Sequence, residues 1–282
     1  MVALTLPFLA ATFLVYTILP ELQNVFGFTL RANVASLFVA STLYLIIITN
    51  TKLFCYYPIA LTMHFSIMAI FFWLNVMCFD IWWTFRRVRS VQCNSKHGNR
   101  RRCIMYSIYA WGSAAFVAGV GAIIDCVPTV PKGFVRPGLR ATCWFLNPTA
   151  AVIYWIGPAG LTMICNICFF VLTTITMIRH KKDTANYLKK SDDNNEKERF
   201  NLHLKLFVVM GVTWLAEVVN WQWQTDLPEY VSYFLDLLNC QQGFSIFVIF
   251  VCKGNVKKLL LKRLGGTDKT VRPPVVELRP TN

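Results

Sequence analysis

The chain has 282 residues, of which 55% are hydrophobic and only 15% charged, and its formal net charge is +14. A soluble domain carries about 25% charged residues, so a soluble enzyme with a large core is excluded, and the long apolar runs make this a polytopic membrane protein. Lys and Arg cluster between those runs on alternate sides, which fits loops beside an anionic leaflet and argues against nucleic acid as a partner.

The first apolar run, Val2 to Leu19, has no basic region before it and no small-residue cleavage site. It reads as a first span with an outside N-terminus, not a signal peptide. Pro20 and Glu21 close it. A short loop from Leu22 to Thr29 passes Arg31 into a second span ending near Thr49, and Asn50 to Phe54 form a tight outer turn. The third run starts at Cys55 and stops sharply at Arg86, Arg87 and Arg89. About twenty apolar residues cross a bilayer core as a helix, and basic residues gather on the cytoplasmic flank. Cys55 therefore marks the outer end.

Arg86 to Arg102 is a basic loop without an acid, and Ile104 to Ile124 is the fourth span. Its Gly112, Ser113, Ala114, Ala115, Gly119 and Gly121 are expected to serve close helix packing. Asp125 to Asn147 is the longest outer loop, rich in Pro and Gly, and it contains Cys143-Trp144. A fifth span follows from about Thr149 to Ile178, with Gly157-Pro158 near its outer end. The mixed-charge stretch Arg179 to Arg199 reads as a loop. The sixth span runs from about Leu202 to Trp223 and the seventh from about Tyr230 to Val251. In Lys253 to Leu264, Val256, Leu259, Leu260 and Leu264 recur at helical spacing, as in a basic amphipathic helix lying on the membrane. The expected fold is all-α: a seven-helix transmembrane bundle over 1–252, an amphipathic cytoplasmic helix over 253–264, and a disordered tail over 265–282.

Polar groups inside a span are costly and mark candidate sites. His64, Met68, Phe71 and Asn75 share one face of the third span, and Trp214, Glu217, Trp221 and Gln224 one face of the sixth. Asp236, Asn239, Gly243 and Ile246 do the same in the seventh. Two readings stand side by side: a ligand cavity lined by His64, Glu217, Trp221 and Asn239, or interhelical hydrogen bonds that only hold the bundle together. Pro158 and Gly243 can each loosen a helix and are candidate hinges. Among the outer cysteines, Cys55 can pair with Cys143 or with Cys126. Cys165 and Cys168 form a C-x-x-C pattern without a second pair or a nearby His, a weak signal for metal. Cys252 sits at the membrane edge as a candidate palmitoylation site. Asn147-Pro148-Thr149 is no glycosylation sequon, because proline takes its middle position. The chain contains no Walker loop, no HExxH and no nucleophile elbow, so no enzyme activity, cofactor or metal is expected.

The third-span FSIMAIFFWLNVMCFDIWWTF, the outer Cys143-Trp144, WIGPAGLTMICNICFF, MGVTWLAEVVNW and LNCQQGFSIFVIFVCKGNVKKLL together resemble Methuselah-like receptors. These are insect members of the secretin/adhesion (class B) branch of G-protein-coupled receptors. The resemblance implies seven helices, a Cys55–Cys143 disulfide and a heterotrimeric G protein as cytoplasmic partner. It also implies an extracellular ligand, of peptide type by analogy, and a helix bend at Gln242-Gly243. Asn75 and Trp214 join Pro158, Gln242 and Gly243 as candidate switch positions, and Arg86, Arg87, Arg179 and Lys205 are the candidate G-protein surface. The expected location is the plasma membrane, with the C-terminus cytoplasmic. Members of this family carry a cysteine-rich ectodomain before the first span, so the expectation is a fragment or a receptor lacking that part. The secretin-type second-span His and third-span Glu are not found, and His64, Asn75 and Asn33 are offered instead. The alternatives are a non-signalling receptor that modulates full-length relatives and a seven-helix chemoreceptor-type ion channel.

Overall fold

A computed structural model describes residues 2–49, 57–87, 96–127, 135–142, 144–145, 147–184, 190–222 and 228–253, with five further positions between 256 and 263. Helix α1 spans Val2–Ile18, α2 Val25–Thr49, α3 Tyr57–Arg87 and α4 Lys96–Cys126. Helix α5 runs continuously through Pro148–Ala151, a π-turn at Val152–Ile156, and Gly157–Thr184. Helix α6 is Lys190–Gln222 and α7 is Glu229–Phe250. A four-residue helix, Leu139–Thr142, lies in the α4–α5 connection.

The sequence explains how these helices begin. The Asn24 side chain accepts the Gly27 N–H at 2.8 Å at the start of α2. Asn147 does the same for Ala150 at 2.8 Å, with Pro148 in the first turn of α5, where a missing N–H costs nothing. The failed glycosylation sequon is thus a helix cap. Within the helices, Thr12, Ser36, Thr62, Ser66, Ser107 and Thr173 donate to the carbonyl four residues back. Those hydroxyls are satisfied inside their own helix and need no partner helix.

Among the described residues, four helices are long and apolar enough to cross a membrane, covering Val25–Thr49, Tyr57–Thr84, Gly98–Cys126 and Pro148–Arg179. Shorter apolar stretches fall at Ala3–Ile18, Leu204–Ala216 and Gln241–Phe250. Of the four, α3 is the central one: 67% of its apolar window is buried, against 22–28% for the others. It packs on α2, α4, α5 and α6, while α1 lies between α2 and α7, and α7 packs on α6. Trp73 of α3 is fully buried, edge-on to Phe28 of α2 at 5.8 Å and to Trp111 of α4 at 5.6 Å. On the outside, Ile108 and Phe116 of α4 and Leu161 and Ile164 of α5 are all more than 60% exposed. A surface this apolar is unsuited to water and suited to acyl chains.

Two expectations need adjusting. The basic loop after α3 and the charged loop after α5 are in part helix, since α4 starts at Lys96, α5 reaches Thr184 and α6 starts at Lys190. Apolar periodicity does not register a helix that continues past the bilayer with charged side chains. The small residues of α4 also divide. Ala110, Ala114 and Ala118 form its buried face, whereas a side chain at Gly112 or Gly119 would meet open space. Of the segment after α7 only part is described: Val256 is buried and Lys257 N–H bonds to Lys253 O at 2.9 Å. Leu264 and the tail lie outside the described residues.

Ala114→Leu should destabilise the folded protein by about 1–3 kcal/mol through overpacking, read as a lower unfolding temperature in detergent. Gly112→Leu should leave that temperature unchanged or raise it, since nothing opposes the side chain and leucine is the better helix former.

Candidate functional site

The predicted polar face of α3 is real and points inward. His64 and Met68 are fully buried, and Phe71 and Asn75 are 8% and 6% exposed. Its partner is chiefly α5. At the Tyr57 end, His64 Nε2 lies 2.9 Å from the Tyr154 carbonyl oxygen, so this nitrogen carries the proton and donates. Proline explains why that carbonyl is available. In an α-helix the donor to Tyr154 O is the N–H of residue 158, and Pro158 has none. The chain around it adopts a π-turn, in which Gly157 N–H bonds to Val152 O, five residues back. A side chain at 157 would put its Cβ 2.9 Å from Val152 O. Glycine removes that obstacle, and proline removes the α-helical donor.

About three turns further down, Asn75 Nδ2 donates to Asn166 Oδ1 at 2.9 Å, and Tyr109 of α4 donates its hydroxyl to Asn75 Oδ1 at 3.0 Å. This buried triad ties α3, α4 and α5 together. Asn166 Nδ2 is buried without a hydrogen-bond partner among the described residues. Asn33 of α2 is also buried and donates to Ile70 O of α3 at 2.9 Å. Near the Arg86 end, Tyr106 donates to Asp80 at 2.7 Å. Trp214 of α6 meets Phe71 edge-on at 6.5 Å, and its buried indole N–H has no partner among the described residues.

Over the Tyr57 end lies the α4–α5 connection. Asp125 accepts the N–H groups of Gly138 at 3.0 Å and Arg140 at 3.3 Å. Gly138 has φ 75°, a left-handed conformation that suits glycine. Arg140 stands over the Tyr57 ring at 5.4 Å, and Tyr154 donates its hydroxyl to Val135 O at 2.9 Å. Leu139 and Phe145 are thereby buried. Phe145 meets the His64 ring edge-on at 5.2 Å and stacks on Tyr154 at 6.5 Å.

The other expected positions fare unevenly. Gly243 is buried, and a Cβ there would lie 3.1 Å from Leu9 and 3.1–3.2 Å from Thr5, so it is a close contact of α7 with α1. Gln242 beside it is half-buried on α7. Glu217 and Trp221 fall on α6 and Asn239 on α7, but their side chains lie outside the described residues, as do those of Asp236 and Arg87. Gln224, Cys55 and Cys143 lie outside them altogether. Cys126, the competing partner for Cys55, is a free and exposed thiol, and Cys165 and Cys168 are free as well. Arg86 is exposed with its guanidinium over Trp82 at 5.3 Å, and Arg179, Lys205 and Cys252 are exposed too. Sequence reasoning missed Asn166, Tyr109 and Tyr154. A lone mid-span asparagine was the available signal for Asn166; nothing in the side-chain pattern marks a backbone acceptor such as Tyr154 O.

A family model described as "7 transmembrane receptor (Secretin family)" matches residues 1–246. The chain is 31% identical over 275 residues to the G-protein coupled receptor Mth2 of Drosophila yakuba, covering 92% of this chain and 50% of that one. Against the G-protein coupled receptor Mth of Drosophila melanogaster it is 29% identical over 271 residues, covering 92% and 51%. Against Mth of Drosophila yakuba it is 30% identical over 278 residues, covering 95% and 52%. The chain thus spans about half the length of the curated relatives it matches.

A double-mutant cycle of Asn75→Leu and Asn166→Leu should give a coupling between about 0.6 kcal/mol, the average measured for interhelical hydrogen bonds in a bilayer, and about 1.7 kcal/mol, the largest. Thermal unfolding of the four proteins in one detergent measures it; strictly additive losses would mean the pair does not interact.

Proposed function

The chain belongs to the secretin family of seven-transmembrane receptors, and from that premise we propose that it is a Methuselah-type, class B G-protein-coupled receptor of the plasma membrane. In this reading α1 to α7 are the seven spans, and the Tyr57 end is extracellular. Lys253 to Leu264 lies along the inner leaflet, with Cys252 as a palmitoylation site. A Cys55–Cys143 disulfide pins the α4–α5 connection over the mouth, and the free thiol of Cys126 supports that pairing. The ligand is extracellular, with a peptide as the class proposed by analogy, and it reaches His64, Glu217, Trp221 and Asn239. The inner ends of α3, α5 and α6, with Arg86, Arg87, Arg179 and Lys205, receive a heterotrimeric G protein.

The observation that carries this reading is the buried polar seam between α3 and α5, His64 to Tyr154 and Asn75 to Asn166. Polar contacts inside a bilayer bundle are specific and individually weak. A few of them can hold one packing against another that differs by a few kcal/mol. A ligand shifts such an equilibrium only by its differential affinity for the two packings. That Arg86 and Arg179 are exposed at the same end of α3 and α5 supports this end as the G-protein side. Gly243, in contact with α1, offers no support for a hinge there; Pro158 with its π-turn does.

The test is guanine-nucleotide exchange on purified G proteins by the protein in lipid nanodiscs. Wild-type protein should accelerate exchange above empty nanodiscs. Arg86→Glu combined with Arg179→Glu should reduce that by at least about tenfold, since reversed charges meet like charges at a desolvated interface. Exchange at background for every G-protein class would contradict the reading. Topology has its own check. A membrane-impermeant maleimide should label Cys126 in intact cells, and Cys252 only after permeabilisation and cleavage of its thioester with hydroxylamine.

A further inference from the structure

Tyr154 makes three separate contacts that no sequence motif announced. Its hydroxyl holds the α4–α5 connection at Val135 O, 2.9 Å away. Its ring stacks on Phe145 of the same connection, with planes 9° apart. Its carbonyl accepts a hydrogen bond from His64 Nε2 on α3, at 2.9 Å. The residue sits inside the π-turn Val152–Ile156, directly before Gly157-Pro158. One residue thus joins the covering connection, the central helix and the irregular turn of α5.

We infer that Tyr154 couples the position of the α4–α5 connection to the hydrogen-bond register of α5, with His64 as the group that holds the π register. The inference rests on the receptor reading for its purpose, but its geometry stands without it. Pro158 makes the two registers comparable. Returning to an α register at this point brings no N–H to Tyr154 O, because residue 158 has none to give. The backbone therefore gains little from either state, and the His64 side chain decides. Isolated π-turns inside α-helices occur frequently at functional sites. Loss of the extra residue in the turn rotates one part of α5 against the other by about 100°, the angle per residue of a 3.6-residue helix. The Asn75–Asn166 bond lies two to three turns below, on the part of α5 that this rotation moves against α3.

In this scheme a ligand that lifts the connection draws Phe145 off the Tyr154 and His64 rings and takes Val135 O from the Tyr154 hydroxyl. The Tyr154 carbonyl then leaves His64, and α5 is free to change register. Phe145 is the covering side chain that a ligand must move. Tyr154 is a positioning residue, since it acts through His64 and the turn.

Hydrogen–deuterium exchange on the full chain in nanodiscs tests this without a ligand. Tyr154→Phe removes only the hydroxyl contact to Val135. It should speed exchange about fivefold, the change expected for loss of one neutral hydrogen bond, both in residues 135–142 and in the turn at 152–157. His64→Leu should speed exchange in the turn and, because the coupling is reciprocal, to a smaller degree in residues 135–142, and adding Tyr154→Phe to it should produce no further change in the turn. His64→Gln, which keeps a donor of similar reach, should restore wild-type exchange in the turn. Gly157→Ala crowds Val152 O and should reproduce the His64→Leu pattern even if that variant folds poorly. A Tyr154→Phe protein that loosens the connection and leaves the turn at its wild-type rate overturns the inference. So does a Tyr154→Phe effect on the turn that is undiminished in His64→Leu. Nucleotide exchange measured in the same samples keeps the two questions apart: background signalling with coupled deuterium exchange would contradict the receptor reading and leave the switch intact.

Discussion

A backbone carbonyl inside a bilayer must find a donor, because lipid offers none and each unsatisfied group costs several kcal/mol. Pro158 withholds the α-helical donor from Tyr154, and His64 on another helix supplies one. That single bond joins the irregular part of α5 to the most buried helix of the bundle. It also fixes where the α4–α5 connection rests, since the same tyrosine carries the hydroxyl that holds Val135. The site is thus the consequence of completing one backbone carbonyl with one side chain.

The remaining polar contacts extend the same arrangement along α3. His64 meets α5, the Ile70 carbonyl accepts from Asn33 of α2, Asn75 meets α5 and α4, and Asp80 meets α4. Aromatic packing around Trp73 sets the spacing between the helices, and the polar contacts choose which helix meets which face. Bulk apolar packing in lipid is poorly selective, because acyl chains are as apolar as the side chains they replace. A small set of hydrogen bonds can therefore decide between packings. Such a bundle holds together while remaining able to exchange one arrangement of α5 for another.

Much of this was legible in the residues, for identifiable reasons. Spacing of 3.6 residues put His64, Met68, Phe71 and Asn75 on one face, and all four are buried. Gly157-Pro158 was legible as a weak point, because the missing N–H is a property of proline itself. Its outcome as a π-turn was not, since that depends on His64 arriving from another helix. Gly243 read as a hinge because glycine permits bending, yet the same lack of a side chain serves close packing against Thr5 and Leu9. Asn166 was hidden inside a C-x-x-C pattern, where the cysteines drew the attention. The extensions of α4, α5 and α6 escaped notice because a helix in water shows charges, and periodicity of apolar residues ends with the bilayer.

The central claim is that signalling moves α5 against α3. Pulsed electron resonance between spin labels at Trp83→Cys and Ile175→Cys, exposed positions of α3 and α5 outside the proposed G-protein surface, measures that directly, in a background with the native exposed cysteines replaced. With nucleotide-free G protein bound, the account predicts a second distance population absent from the free protein, and Asn75→Leu should increase it. One distance distribution, the same with and without G protein, would contradict the account.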